Sequence, residues 1–358
     1  MIRNNRGKKP FAPVRRHALH LLTMSVLIVL VGCSHLGFKA RMRRQETVSL
    51  LHGDTLVNLQ SRPDVPGSMH LRTVTYNAHL LPMIATPVAG HRGQSSYRAS
   101  AIATQLHDFD LIGLCEVFHD SHRQTLISQI ESQASREFLK VSGPPRSGRH
   151  FVNGGLLLLS RFPVIESHTH TYRHASRFLS NGVYSDGFAA KGILHARIKI
   201  NDSGMMVDCF LTHLESQSSS AREKQITEMC EFISSHAHDT ETIVLMGDFN
   251  IVATDHAIVE DYARTATSEY QRLMDSLANV RSTFADVGGD QDCGTSDAIS
   301  NDGGERIDYV FIAPPTFDSP TVRVATESVR NLRLLDRKVH EGSLSDHVAV
   351  ACDLVISL

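Results

Sequence analysis

Eight consecutive residues carry the first chemical signal: Ile243, Val244, Leu245 and Met246 run apolar, and Gly247, Asp248, Phe249 and Asn250 end the run. Four apolar residues in a row, two of them β-branched, predict a strand buried on both faces. Side chains alternate along extended chain, so Asp248 and Asn250 point one way while Phe249 points back into the core. A carboxylate and a carboxamide at the end of a buried strand can hold a hard cation or orient a phosphate. Gly-Asp and Asn are also turn formers, and for this stretch alone that plainer reading stays open.

Other predicted strands stop in the same way. Asn77 follows a strand over 71–76, Glu116 ends the run 110–116, and His213 ends the run 207–213. Asp308 lies in Arg306-Ile307-Asp308-Tyr309, and Ser345-Asp346-His347 precedes the last strand. Ligands of open α/β sheets collect outside strand ends. One strand-end Asp or His is ordinary turn chemistry; six such places along one chain argue for a common centre.

The elements that must position these residues alternate in kind. Predicted strands cover 71–76, 111–114, 155–160, 192–200, 206–211, 243–246, 307–312 and 347–355. Predicted helices cover 97–109, 123–134, 221–236 and 262–277. The helix over 221–236 is the clearest, with Ile226, Met229, Cys230 and Ile233 on one face. A Gly/Asp-rich loop spans 288–304, and no repeat or low-complexity tract interrupts the pattern. Two-sided apolar strands interleaved with amphipathic helices argue a layered α/β sandwich.

The N-terminus is of another kind. Residues 1–32 hold six basic side chains (Arg3, Arg6, Lys8, Lys9, Arg15, Arg16) and no acid, followed by an apolar run over 18–31. That run is short for a membrane span of roughly 20 residues, and the order reads as a secretory signal peptide. It ends in Leu30-Val31-Gly32-Cys33, which resembles the lipobox of bacterial lipoproteins, where the cysteine becomes the lipidated first residue. The alternative is an uncleaved signal anchor. Ser34 after the cysteine favours outer-membrane sorting in a Gram-negative host. The polar segment 33–67 is read as a tether, leaving 68–358 as one catalytic domain. The whole chain has 36 basic and 38 acidic residues; without the leader's six basics it has 30 against 38, a net charge of −8. A mature domain of that sign is not built to collect nucleic-acid phosphates. No two of the six cysteines form a close CxxC pair, which disfavours a structural zinc site, and Cys115, Cys209 and Cys352 fall in apolar runs as buried thiols.

Taken together, Tyr76-Asn77, Glu116, Thr212-His213, Gly247-Asp248-Phe249-Asn250, Arg306-Ile307-Asp308-Tyr309 and Ser345-Asp346-His347 resemble, in order, the endonuclease/exonuclease/phosphatase superfamily over roughly 71–355. The resemblance implies a DNase I-like four-layer α/β/β/α sandwich, two packed mixed β-sheets flanked by helices, hydrolysing phosphoesters at one edge. It implies Mg²⁺, or Mn²⁺ or another divalent ion, on Glu116 and Asn77, with Asp248, Asn250 and Asp346 as further metal-side residues. His347 would take the proton of the attacking water and Asp308 would fix its tautomer. His213 and Asn250 would donate to the phosphoryl oxygens, and Asp248 would orient the nucleophile or share a second ion with Asp346.

Within that superfamily the chain is most similar to neutral sphingomyelinases. Asp186-Gly187-Phe188-Ala189-Ala190-Lys191-Gly192 looks like their loop pairing an Asp with a Lys five positions on, and Leu80-Leu81-Pro82 with Tyr97-Arg98-Ala99 looks like their segment after the first strand. Lys191 would contact the phosphate, steered by Asp186. Inositol phosphatases are disfavoured, since Gly304-Glu305-Arg306-Ile307-Asp308 lacks their motif and the chain has no Trp. The resemblance therefore implies a monomeric phosphodiesterase of sphingomyelinase or phospholipase C type, exported and held at a membrane, with a phospholipid substrate. The alternatives are an extracytoplasmic DNase I-like or AP-type endonuclease acting on nucleic acid, and a non-catalytic lipid-anchored binding protein. One departure stands out: where secreted bacterial sphingomyelinases carry an aromatic-tipped hairpin, residues 329–342 are basic and Leu-rich, with Arg330, Arg333, Arg337 and Lys338 available to anionic headgroups.

Overall fold

Alternating side chains and two buried faces per strand give two stacked sheets in the computed structural model of the protein. It describes residues 68–357 except 83–93, 149, 177–185, 203, 254–259, 289–293, 297–303, 317–322 and 340–341; the leader, Cys33 and the tether lie outside the described residues. In chain order the elements begin β1 (Ser68–Leu80), α1 (Ser95–Leu106), β2 (Leu111–Val117), α2 (Asp120–Ala134), β3 (Leu139–Gly143), β4 (Leu156–Ser160) and β5 (Val164–Thr171). There follow β6 (Gly192–Lys199), β7 (Met206–His213), α3 (Ser219–His236), β8 (Thr242–Asp248), α4 (Glu260–Val280), β9 (Ala285–Asp286), β10 (Asp308–Ala313), β11 (Arg323–Leu332) and β12 (Ala349–Ser357). One sheet has the order β11-β12-β1-β2-β4-β3 and the other β5-β6-β7-β8-β10-β9. Both are mixed, with β1 parallel to β2 and β7 parallel to β8.

Three cores separate four layers. Leu71, Leu111, Leu158, Leu194, Leu211, Val244 and Met246 fill the space between the sheets. Ile102, Leu106, Leu126 and Ile130 cover the first sheet from outside, and Ile226, Met229, Ile233, Leu273 and Leu277 cover the second. Strand β8 serves both sides, since Ile243 and Leu245 face the helices and Val244 and Met246 face the other sheet. That is why its sequence is apolar throughout rather than alternating.

The expected α/β/β/α sandwich is present, with differences of detail that have physical causes. Asn77 does not follow the first strand but lies inside it, because β1 continues to Leu80 across a register break between Asn77 and Leu80. Helix α3 begins at Ser219, two residues before the apolar pattern, because the Ser218 hydroxyl caps it by accepting from Ala221 N–H at 3.3 Å. Strands β5 and β11, not predicted as strands, lie at sheet edges and carry mostly polar residues. The basic segment after β11 is anchored inward by buried Leu334, Val339 and Leu344, and Arg330 is engaged by Asp353 at 2.8 Å. Cys115, Cys209 and Cys352 are buried free thiols, as predicted.

Helix α3 is fastened to the chain leaving β5 through Glu228. Its carboxylate accepts from the backbone N–H of Arg173 at 2.9 Å, His174 Nδ1 at 2.7 Å and His170 Nε2 at 2.9 Å. Burial alone would raise this carboxyl, but the bonds from the Arg173 backbone and from His170 and His174 outweigh it and hold the group at about 2. A carboxyl depressed on folding contributes stability above its unfolded value and loses it as pH falls through the folded one. Glu228→Gln is therefore expected to cost on the order of 2–3 kcal/mol at pH 7. Parent and variant should converge between about 4.5 and about 2 in urea unfolding followed against pH. A gap that stays constant through that window would assign the stabilisation elsewhere.

Candidate active site

The polar residues gather where β1, β2, β7 and β8 stop and where β10 and β12 begin. Gly247 makes the approach possible: at φ 142 a Cβ there would sit 1.9 Å from the Thr212 carbonyl oxygen on the parallel neighbour, so only glycine fits. The pairing aligns His213 with Asp248, and the antiparallel pairing with β10 aligns Asp308 with Asp248. Three side chains from three strands thus reach one point by register alone. Glu116, His79 and Asn250 sit in the left-handed region at φ 59, 48 and 52, the chain turning sharply around the site at each.

Asp248 is the hub, and its two oxygens take different partners. Its Oδ1 closes a turn by accepting the Asn250 N–H at 3.0 Å. Its Oδ2 faces inward, 2.9 Å from Asn77 Nδ2, 3.3 Å from His213 Nε2 and 3.8 Å from His347 Nε2. Asn77 Nδ2 also donates to Glu116 Oε1 at 3.2 Å, tying the first sheet's acid to the second sheet's. Phe249 turns back into the core between Tyr309 and Phe311, as predicted.

His347 Nδ1 meets Asp308 Oδ2 at 2.8 Å, leaving Nε2 toward Asp248. Burial would push the imidazole down, but Asp308, Asp248 and Asp346 outweigh it and raise it well above the ordinary value. Burial lifts the Asp308 carboxyl to about 6, against the opposing pull of His347. The two shifts belong to one pair, and the upward shift on His347 governs its proton chemistry.

Lys191, on the segment entering β6, is buried and sets its Nζ 2.9 Å from His213 Nε2 and 2.7 Å from the Leu214 carbonyl. His213 Nε2 thus stands between Lys191 Nζ and Asp248 Oδ2, which lies 3.3 Å away. Asn250 Nδ2 donates to the same Leu214 carbonyl at 3.0 Å. Donation from His213 or Asn250 to a phosphoryl oxygen requires these bonds to be exchanged for bonds to substrate. Asp186 opens a short 3₁₀ turn, Asp186–Phe188, but its side chain lies outside the described residues, and so does its expected contact with Lys191.

Asn77, Glu116, Lys191, His213, Asp248, Asn250, Asp308 and His347 thus share one edge. Asp346 stands beside them, held by His79, to which sequence reasoning gave no role, and by clamps from Arg98 and Ser345, which it quoted only within motifs. His79 Nδ1 lies 3.0 Å from Asp346 Oδ1. Burial would lower that imidazole, yet Asp346 raises it. Buried Arg98 donates to the carbonyls of Ala78, His79 and Leu344 at 2.8, 3.1 and 2.6 Å, clamping the end of β1 to the loop before β12. Ser345 Oγ donates to the Asn77 carbonyl at 2.7 Å, a second clamp. Thr295 Oγ1 accepts from the N–H groups of Ile307 and Asp308 and starts β10. His79 is turned into place locally, its N–H donating to Asn77 Oδ1 at 3.1 Å where the strand breaks register at a left-handed residue, and no sequence pattern marked it.

The donors suit a hard divalent cation. Glu116 Oε2 and Asp308 Oδ1 are buried carboxylate oxygens without a hydrogen-bond partner among the described residues. Asp248, Asp308 and His347 offer ligand atoms within 4.8 Å of one another. Buried anionic oxygens left unsatisfied are costly, and an oxygen-seeking ion relieves that cost.

Comparison with known proteins agrees with this geometry. The pattern of the Endonuclease/Exonuclease/phosphatase family matches residues 74–347. A sphingomyelinase from Dictyostelium discoideum is 25% identical over 224 residues, covering 53% of this chain and 46% of that protein. Sphingomyelinase C 2 from Leptospira interrogans is 23% identical over 221 residues, covering 56% of this chain and 34% of that protein. This chain therefore spans less than half the length of either relative. Among solved structures, a beta toxin from Staphylococcus aureus with bound magnesium ions superposes with a TM-score of 0.55 at 18% identity, covering 79% of this chain and 99% of that one.

Proposed function

We propose that this chain, which belongs to the endonuclease/exonuclease/phosphatase family, is a divalent-cation-dependent phosphodiesterase that hydrolyses sphingomyelin or a related phospholipid and releases the phosphorylated headgroup. The observation that carries the reading is the convergence on Asp248 Oδ2 of Asn77, His213 and His347, with His347 already paired to Asp308. A binding protein has no use for a carboxylate-backed imidazole beside an acidic, cation-ready pocket.

In this mechanism Glu116, with Asn77 and Asp248, would hold the cation. A bound Mg²⁺ or Mn²⁺ supplies positive charge against the pentacovalent phosphorus. His347 Nε2 takes the proton as the water oxygen bonds to phosphorus, and Asp308 steadies the imidazolium that forms. Lys191 places an ammonium beside His213, where it meets the incoming phosphoryl oxygen and leaves His213 free to donate. The bond from phosphorus to the lipid-side oxygen then breaks, its electron pair staying on that oxygen. That oxygen takes a proton from solvent and leaves as the lipid alcohol, while the His347 proton returns to water.

Two further observations favour lipid over nucleic acid. The curated relatives are named sphingomyelinases. The mature net charge of −8 opposes a polyanion far more than a zwitterionic headgroup. In this reading Cys33 carries the lipid anchor that sets the domain on its substrate surface, and the chain acts as a monomer. The deciding assay offers labelled sphingomyelin, phosphatidylcholine and plasmid DNA to the full chain. Sphingomyelin turnover should stop with EDTA and return with Mg²⁺. Faster cutting of DNA would replace the lipid reading with the nuclease one, and no turnover of any substrate would leave a binding protein.

A further inference from the structure

Glu116, the carboxylate assigned to the cation, stands where its strand has run out of partners on one side. Pairing of β2 with β4 stops at Leu114 opposite Leu157, short of Glu116. The backbone of Glu116 is left-handed at φ 59, a conformation that a residue with a side chain keeps only where its surroundings impose it. What imposes it comes from Arg123, in the first turn of α2, and from Asn153, in the loop before β4.

The peptide groups that follow Glu116 are all taken up by these two residues and their loop. The Val117 N–H donates to the Gly155 carbonyl at 2.8 Å. Arg123 Nε donates to the Val117 carbonyl at 2.8 Å, and Asn153 Nδ2 donates to the Phe118 carbonyl at 2.9 Å. Asn153 Oδ1 in turn accepts from Arg123 Nη2 and from the Gly155 N–H, both at 2.9 Å. A guanidinium and a backbone N–H only donate, so one orientation of the carboxamide fits, its oxygen toward Arg123 and its nitrogen toward Phe118. Each polar atom of the Asn153 side chain is thus spent on the turn that carries Glu116.

The same loop is bonded on its other side to the chain that carries Lys191. The N–H groups of Phe151 and Val152 donate to the Phe188 carbonyl at 2.9 and 3.2 Å, and the Val152 carbonyl accepts from Ala190 N–H at 3.2 Å. Gly154 lies so close that a Cβ there would sit 2.7 Å from the Ala190 carbonyl oxygen. We propose that Asn153 and Arg123 are positioning residues for the cation, holding Glu116 in its left-handed turn at a separation from Lys191 that their shared loop fixes. This rests on the proposed function, since it gives Glu116 and Lys191 the roles assigned there. Partners of this kind act on affinity because a ligand already held in place does not have to be ordered by the ion.

The test measures Mn²⁺ binding to the metal-stripped full chain through the paramagnetic resonance signal of the free ion, which needs no substrate. Asn153→Ala should weaken binding 10- to 100-fold. It should raise the Mg²⁺ needed for half-maximal sphingomyelin turnover by the same factor, with substrate KM unchanged at saturating Mg²⁺. Arg123→Lys keeps the charge but cannot fork between Val117 and Asn153, so its affinity should fall between those of the parent and Asn153→Ala. It also serves where Asn153→Ala does not fold. Added to Glu116→Gln, Asn153→Ala should cost little further affinity, because it acts through that carboxylate. Ile130→Val, a core change in the same helix, should lower the melting temperature and keep the parent's Mn²⁺ affinity. Parent-like affinity in Asn153→Ala, or a full further loss in the double variant, would overturn the proposal and leave the proposed reaction standing. A parent chain that binds no Mn²⁺ would overturn both.

Discussion

His347→Ala should turn over phosphodiester roughly 10²- to 10⁴-fold more slowly than the parent chain, with KM little changed, because a positioned general base contributes on that order. Alanine also leaves the buried Asp308 carboxylate without its 2.8 Å partner, so a thermal melt of the variant in parallel separates lost stability from lost turnover. Asp308→Asn should follow it downward, because an amide can hold the ring with the wrong nitrogen protonated. The pH profile separates this role from mere packing. The neutral ring is the working form, so the parent rate must climb with pH through the His347 pKa. Asp308, Asp248 and Asp346 raise that pKa over the lowering effect of burial, which moves the climb above the range of a free imidazole. A cation that neutralises Asp248 and Asp346 leaves Asp308 as the chief carboxylate facing the ring, so saturating Mg²⁺ should shift the climb back toward lower pH. His347→Ala should lack the climb altogether. Measuring kcat and KM from acid to alkaline pH at two Mg²⁺ concentrations tests all of this, and near-parent turnover by the variant would remove His347 from the chemistry.

The strand ends were legible because burial on both faces forces a continuous apolar run, and a polar residue at its end is then conspicuous. Asp248, His213 and Glu116 all stand out for that reason. What joins them was legible only through their number and the family resemblance, not in any one stretch. Asn77 and Asp248 are 171 residues apart, and nothing local to either says that β1 and β8 belong to facing sheets. His79 looks like one more residue of a strand and Arg98 like the polar side of a helix, yet Arg98 is buried and binds three carbonyls. A guanidinium spent on backbone oxygens leaves no trace in hydropathy. Strand β5 was hidden by its own position: at a sheet edge, Glu166, His168 and His170 can stay half-wet, so the period-two pattern has no apolar half. Thr295 lies in a Gly/Asp-rich loop whose composition predicts only irregular chain.

The clamps explain how so many acids are held at one edge. Four carboxylates (Glu116, Asp248, Asp308 and Asp346) gather near one edge, and like charges repel. Lys191, Arg98, His79 and His347 bring the opposing charge or proton. Ser345 and Arg98 fix the two loops by backbone bonds that do not depend on protonation. The geometry is therefore set by the fold, and the acids are left with a shortage of positive charge that the proposed cation would fill.

That shortage gives Glu116→Gln a signature opposite to ordinary damage. Gln is isosteric, so the bond from Asn77 can persist, and the left-handed backbone at position 116 is unchanged. What disappears is one negative charge and the unpartnered oxygen Oε2. In EDTA the variant should melt at the parent's temperature or above it, because a half-buried charge that repelled Asp248 has gone. With Mg²⁺ the order should reverse. The parent gains stability by mass action on its bound ion, while the variant, binding more weakly, gains less. Turnover should fall by about 10³-fold at low Mg²⁺ and recover in part as the ion is raised, since the loss lies in holding the cation rather than in the base. Scanning calorimetry with and without Mg²⁺, run beside the activity titration, reads both halves. Equal Mg²⁺-induced shifts in parent and variant would mean that Glu116 does not hold the ion, and the assignment of this edge as a metal-dependent phosphodiesterase site would lose its foundation.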